Sequence, residues 1–139
     1  MALIVIVVGA VMVVAGVVTW FAVRDQLAAE NITVSEDAAF LAGDEVDGPF
    51  SAYAQADVIN KHALEATGGK TYAERGQDDP LRQTAMQASF LRASLYTSVV
   101  AFGVALMAAV IGLAFILIGR ALVSTERASA PLDPARSPA

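Results

Sequence analysis

The chain has 139 residues and a net charge of −5, and its hydrophobic fraction of 56 % is above the usual share for soluble domains. It contains no cysteine, which excludes a disulfide framework, a thiolate metal site and a cysteine nucleophile. The acidic side chains are concentrated in the middle of the chain, and their charge argues against binding to nucleic acid or to an anionic lipid surface.

The first element is the uncharged, mostly apolar run Met1 to Val23, which predicts a retained membrane-spanning helix. A signal peptide is the alternative, but it would need a basic start, an apolar core of about 7 to 15 residues and a small-residue cleavage site. No basic side chain precedes this run, and the run is longer than such a core. Trp20 and Phe21 lie at its far end, where aromatic side chains anchor a helix at the membrane surface.

Residues 24–97 are predicted to form a small, mainly helical domain outside the membrane. Ser35 is a good N-cap for a short helix from Glu36 to Ala42, which Gly43 would close. The acidic loop that follows, DEVDGP, lacks the regular ligand spacing and the terminal glutamate of a calcium loop. We therefore expect a solvated loop there, with a calcium site as the less favoured alternative.

A second helix is predicted from Phe50 to Ala66, with an i,i+4 ion pair between Asp57 and Lys61. Two glycines follow it in the stretch TGGKT, which contains the GKT of a phosphate-binding loop. The glycine that such a loop requires five residues earlier is Leu64 here, and a helix precedes it instead of a strand. A helix C-cap is therefore the favoured interpretation. His62, the only histidine, supplies too few ligands for a metal site.

The third predicted helix starts at Asp79-Pro80, an N-cap followed by proline at the first helical position. An apolar spacing of four and three residues, broken at Arg92, predicts one helix of about 40 residues whose first turns stand outside the bilayer. Its residues 98–119 carry no charge and span roughly 33 Å, the thickness of the hydrocarbon core. Residues 120–139 are predicted to be a disordered tail.

These elements predict an all-α membrane protein, a two-helix transmembrane hairpin with a small helical extracytoplasmic domain. The tail is net positive, and the middle segment is net negative and longer than about 60 residues. We therefore expect a multi-pass protein of the plasma membrane with both termini in the cytoplasm.

The two spans contain small residues at helical spacing, which lets helix backbones approach closely. The candidates for such packing are Gly9, Gly16, Ala105, Ala109, Gly112 and Gly119. Neither span contains an ionisable residue, which argues against a channel or transporter formed by this chain alone.

The stretches DGPFSAYAQADVINKHALEATGGKTYAE and SFLRASLYTSVVAFGVA resemble a family of small two-span membrane proteins common in actinobacteria. Members of that family are often labelled aromatic ring-opening dioxygenase. Ring-opening iron dioxygenases use two histidines and a carboxylate as metal ligands, and this chain has a single histidine. The resemblance therefore implies membrane placement and actinobacterial origin without an activity.

The favoured function is an accessory or scaffold subunit of a membrane complex, whose partners are the bilayer and other membrane subunits or a second copy. The alternative is an extracytoplasmic sensor or ligand-binding module, with a pocket between the Phe50 helix and the stub that starts at Pro80. Convergent polar groups in that pocket would favour the alternative. No catalytic constellation, cofactor or metal is predicted, so an enzyme is the third and least favoured hypothesis.

Overall fold

A computed structural model of the chain describes residues 1–128. These residues form α1 (Ala2–Ala29), α2 (Pro49–Ala66), a short 3-10 helix (Tyr72–Glu74) and α3 (Arg82–Ala128). The described part contains no strand, and its only β-type pairing is an isolated bridge between Thr33 and Glu45. The prediction of an all-α architecture is therefore confirmed over this range.

α1 and α3 are both long and apolar enough to cross a membrane. They contain 28 and 47 residues, and their most apolar windows have mean hydropathies of 2.9 and 2.7. Only 17 % of the residues in either window are buried within the protein. The core helix of a soluble protein would be buried over most of its length, so these helices differ from that class.

The chain is divided into two compact units. The helix-pair unit consists of Met1–Val17 and the described residues from Leu106 onward, and the middle unit consists of Val18–Ala105. Within the helix-pair unit, the middle of α1 contacts α3 at Gly112, and the start of α1 contacts α3 at Gly119. The order of these contacts along the chain makes the two helices antiparallel in this unit.

The middle unit has its own hydrophobic core. Eight buried residues form it: Leu27, Val34, Val46, Ala52, Ala54, Ala56, Leu95 and Phe102. The rings of Trp20 and Phe102 make a T-shaped contact, with a centroid distance of 4.7 Å. Tyr53 of α2 contacts the rings of both Phe40 and Tyr96. The core thus joins α1, α2, α3 and the loop between α1 and α2.

The helix predicted from Glu36 to Ala42 does not form, and that prediction is wrong. Leu41 has a positive φ of 55°, which a right-handed helix does not allow. Ser35 does not act as an N-cap, because its hydroxyl donates to the Gln55 side-chain oxygen, which also accepts from the Ser35 N–H at 2.9 Å. Val34 and Val46 are buried, and their N–H groups donate to carbonyl oxygens on the opposite side of the loop. Long-range pairing has replaced the local helix.

α2 begins and ends close to the predicted residues. Gly48 is its N-cap, and the Ser51 hydroxyl exchanges hydrogen bonds with the Gly48 backbone. At the other end the Gly69 N–H donates to the Leu64 carbonyl, and Gly68 has a φ of 60°, the geometry of a Schellman C-cap. The prediction that TGGKT is a helix C-cap is confirmed.

α3 begins at Arg82, near the predicted start. Asp79 accepts a hydrogen bond from the Leu81 N–H at 2.8 Å, so it satisfies a free donor at the helix start as an N-cap would. The helix continues through Ala128, beyond position 120 where the predicted tail begins, because no glycine or proline interrupts residues 120–128. The rest of the predicted tail, 129–139, lies outside the described residues.

Candidate functional site in the cleft between α2 and α3

A small cleft lies between the C-terminal half of α2, the loop that follows it and the first turns of α3. It opens to solvent and encloses about 20 Å³, room for roughly one or two water-sized atoms. The lining comprises Asn60, Ala63, Leu64, Thr67, Lys70, Thr71, Tyr72, Ala85, Ala88, Ser89 and Arg92. The ligand-binding alternative predicts a pocket in this region, and six of the residues that line the cleft have polar or charged, non-aromatic side chains.

Thr67 positions the loop that closes one side of the cleft. It is only 2 % exposed, and its hydroxyl lies 2.7 Å from the carbonyl oxygens of both Ala63 and Lys70. A hydroxyl has one proton, so this donor is shared between the end of α2 and the loop. The Schellman cap at Gly68 then turns the chain so that Lys70 and Thr71 face the cleft.

Two arginines fix the remainder of the loop. Arg75 is 7 % exposed, donates to the Thr67 carbonyl and forms a 2.7 Å ion pair with Asp79. Arg82 donates to the Arg75 carbonyl and to the Tyr72 hydroxyl, and its guanidinium lies 4.2 Å from the Tyr72 ring centroid. These bonds connect the loop to the start of α3, so the cleft is built on ordered backbone.

The acidic groups near the cleft are already engaged. The Leu81 N–H, followed by the Arg75 guanidinium, lowers the pKa of Asp79 below its usual value. Hydrogen bonds from the Thr71 N–H and hydroxyl lower the pKa of Glu74 in the same way. Both carboxylates are therefore ionised at neutral pH, and neither belongs to the residues that line the cleft.

Two cations in the lining, Lys70 and Arg92, form no salt bridge with the described residues. The Arg92 Nε is buried and finds no hydrogen-bond acceptor within residues 1–128. Over the same range the Arg92 side chain forms no salt bridge, and its guanidinium carbon lies 6.0 Å from the Tyr96 ring centroid. The Lys70 ammonium likewise has neither a salt bridge nor a hydrogen bond there, but its charge helps to lower the pKa of Glu74 and of Asp79. In the sequence Arg92 was recognisable only as a break in an apolar spacing.

A second, shallower groove runs along another side of the α2 and α3 contact. It measures about 310 Å³ and is open to solvent, with Ile59, His62, Ala63, Ala66, Thr84, Gln87, Ala88 and Leu91 along it. Most of this surface is apolar. It offers few hydrogen-bonding groups to orient a small ligand, in contrast to the smaller cleft.

His62 takes part in an exposed charge cluster. Asp37 of the loop accepts from Lys61 at 2.9 Å and lies 2.8 Å from the His62 Nε2. Lys61 first, then His62, lowers the pKa of Asp37 to about 2. The prediction of an ion pair between Asp57 and Lys61 is wrong, because Lys61 forms its ion pair with Asp37 in the loop before α2.

The acidic loop and the histidine do not converge on one point. Asp47 forms a 2.7 Å ion pair with Arg24, whereas Asp44 and Glu45 are exposed. Among the residues that the structure describes, no three metal-ligating side chains come together.

The candidate helix-packing residues occupy defined positions in the two long helices. A Cβ added at Gly9 would lie 2.5 Å from the Gly112 carbonyl oxygen, and one added at Gly119 would lie 2.5 Å from the Ile6 Cγ1. The backbones of α1 and α3 are therefore in direct contact at Gly9 and Gly112. Burial differs among the other three candidates, with Gly16 and Ala105 buried and Ala109 half-buried.

Comparisons of the chain with protein-family models, with curated proteins and with solved structures found no match. The resemblance to the actinobacterial two-span family therefore stays a prediction.

Proposed function

We propose that the chain is an integral membrane protein that crosses the bilayer twice, through α1 and α3. The observation that carries this proposal is the exposure of large apolar side chains along both helices. Nine such residues are exposed between Leu3 and Phe21, and eleven are exposed between Val100 and Leu122.

Exposing these apolar side chains to water would cost a large free energy. Full burial of one such side chain is worth about 1.5–3 kcal/mol. At half that value per residue, to allow for partial exposure, twenty residues represent roughly 15–30 kcal/mol. That exceeds the total stability of about 5–15 kcal/mol of a typical domain. Lipid or another apolar partner is therefore the expected surrounding of these helices.

In the proposed topology α1 and α3 form a transmembrane hairpin, and the middle unit is extracytoplasmic. Arg120 and Arg127 follow the apolar part of α3 and favour a cytoplasmic C-terminus, as basic residues flanking a span do. The middle segment has twelve acidic and six basic side chains, a composition tolerated on the translocated side.

Single cysteines test this topology, because the chain has no cysteine of its own. Gly76→Cys places a thiol at an exposed site with no neighbouring atom within 4 Å of the added Cβ. Ser124→Cys provides the matched exposed site beyond the apolar part of α3. A membrane-impermeant maleimide should label the first in intact cells and the second only after permeabilisation. The reverse pattern would mean that the orientation is inverted.

The proposed role of this protein is non-catalytic, that of an accessory or scaffold subunit of a membrane complex. Support comes from the apolar surface that each long helix presents, which suits other membrane helices as well as lipid. Purification of the tagged chain in a mild detergent, followed by mass spectrometry, tests this role. A stoichiometric membrane partner would support it, and recovery of the chain alone as a monomer would contradict it.

The second candidate function is ligand binding by the middle unit, as in an extracytoplasmic sensor. The specific observation in its favour is the cleft between α2 and α3, whose lining contains Lys70 and Arg92 and no acidic residue. Native mass spectrometry of the purified chain tests this candidate, since a bound small molecule would appear as a defined mass increase.

A further inference from the structure

The Arg92 side chain forms no salt bridge with the described residues, and its Nε is buried without a hydrogen-bond acceptor. A buried guanidinium N–H without an acceptor costs more than a neutral one, because charged groups lose more hydration on burial. The Arg92 Nε is such a group, and because it is closed to solvent, an occupant of the cleft would be bound by the terminal nitrogens of the guanidinium instead.

The remaining lining defines the chemistry of that acceptor. Arg92 and Lys70 contribute two positive charges, and no acidic residue lines the cleft. Ser89 and Asn60 add further polar groups, and the Ser89 hydroxyl donates its own proton to the Ala85 carbonyl. A group with negative charge and several acceptor oxygens matches this set, since Arg and Lys donate to such oxygens through charge-assisted bonds.

The size of the cleft restricts the occupant further. About 20 Å³ admits one or two oxygen-sized atoms and excludes a ring or an acyl chain. Because the cleft is open to solvent, the rest of a larger molecule would remain at its mouth.

We propose that the cleft between α2 and α3 binds a single oxyanionic group, of the phosphate or carboxylate class, through the guanidinium of Arg92 and the ammonium of Lys70. This inference deepens the second candidate function, ligand binding by the middle unit, and does not depend on the accessory role. Inorganic phosphate is the probe. Native mass spectrometry tests whether the purified chain retains any small molecule, whereas the phosphate titration tests this cleft alone. The two experiments can therefore fail independently.

The test is isothermal titration calorimetry of the full chain in an uncharged detergent, with chloride as the reference anion at matched ionic strength. We expect saturable phosphate binding that Arg92→Gln weakens at least about tenfold, the loss expected for one charge-assisted bond. Lys70→Gln should weaken it about threefold, because an ammonium is a flexible point donor. Lys61→Gln, which removes a lysine paired to Asp37 outside the cleft, should leave the affinity within about twofold.

Trp20 fluorescence and circular dichroism show whether each variant is folded. If Arg92→Gln is unfolded, Arg92→Lys replaces it. Lysine retains the charge and loses the planar fork, so phosphate affinity should fall to an intermediate value. Phosphate affinity unchanged by Arg92→Gln, or by Arg92→Lys together with Lys70→Gln, would overturn the proposal.

The two sources of the oxyanion are separated by lipid content. Binding to the protein as purified indicates a free oxyanion. Binding that appears only after removal of phospholipid, with less phospholipid retained by Arg92→Gln than by the wild type, indicates a lipid headgroup. If the wild type shows no saturable binding up to about 10 mM phosphate in either state, the cleft is not an oxyanion site.

Discussion

Replacing Gly112 by alanine forces α1 and α3 apart at the point where their backbones are in contact. The added Cβ would lie 2.5 Å from the Gly9 carbonyl oxygen and 2.8 Å from the Val13 backbone nitrogen. Ordinary contact begins at 3.4 Å, so one helix must move by nearly 1 Å. Both neighbours are backbone atoms of a regular helix, which cannot rotate away as the end of a side chain would.

The expected magnitude follows from two opposing effects. Overpacking a tight contact by one methyl group costs about 1–3 kcal/mol. Alanine is favoured over glycine in a helix interior by about 0.5–1 kcal/mol, which offsets part of that cost. We therefore expect Gly112→Ala to lower the free energy of unfolding by about 1–2 kcal/mol.

Unfolding by sodium dodecyl sulfate in mixed micelles measures this change. Trp20 is the only tryptophan and contacts Phe102, so its fluorescence reports the separation of α1 from α3. Gly103→Ala is the matched control in the same helix, because nothing lies within 4 Å of its added Cβ. The control should unfold at the wild-type detergent fraction or slightly above it. Equal unfolding of the Gly112 and Gly103 variants would refute the backbone contact.

Three further changes test the middle unit. Val46→Ala should lower the free energy of unfolding by about 1–3 kcal/mol in a denaturant titration, because Val46 is fully buried in the core. An unchanged free energy of unfolding would mean that the loop is not part of that core. Thr67→Val should cost about 1–2 kcal/mol in the same titration, since the Lys70 carbonyl loses its hydroxyl donor; an equally stable variant would contradict this bond. The pKa of Asp37 is lowered to about 2, so its ion pairs stabilise the fold above about pH 4 and are lost as the pH falls toward 2. Carbon-13 NMR should show this pKa and its return toward 3.8 in Lys61→Gln, and identical titrations would exclude the pair.

The long helices and α2 could be predicted because their signals are local. Proline at position 49, glycines at positions 68 and 69, and Asp79 each mark a helix end within a few residues of the observed one. The uncharged runs likewise predict the apolar helices, since length and apolar composition can be read directly from the sequence.

The loop before α2 could not be predicted, because its structure depends on contacts distant in sequence. Ser35 has the composition of an N-cap, but its N–H donates to Gln55, twenty residues away. Lys61 has Asp57 at helical spacing and still pairs with Asp37. In both cases a tertiary partner prevails over a local preference worth only about 0.2–1 kcal/mol.

The cleft shows a different limit of sequence reasoning. Lys70 and Arg92 are 22 positions apart, and neither lies in a motif. Their presence in one cleft depends on the Schellman cap at Gly68 and on the antiparallel contact of α2 with α3, and neither feature can be read from the sequence around Lys70 or Arg92. Only the folded chain shows that both cations line the same space.

The contact between Gly9 and Gly112 also limits which surface of the two helices a partner subunit could bind. Small residues promote helix association by letting backbones approach. A face of small residues that is already packed against one helix is not available to a second helix. Here that face is used within the chain, since Gly9, Gly112 and Gly119 already meet the opposite helix. The surfaces left exposed on α1 and α3 carry valine, leucine, isoleucine and phenylalanine instead. A partner would therefore associate through large apolar side chains, and substitution of exposed Val11 or Leu113 by alanine should weaken co-purification, whereas changes at Gly112 should act first on the stability of the chain itself.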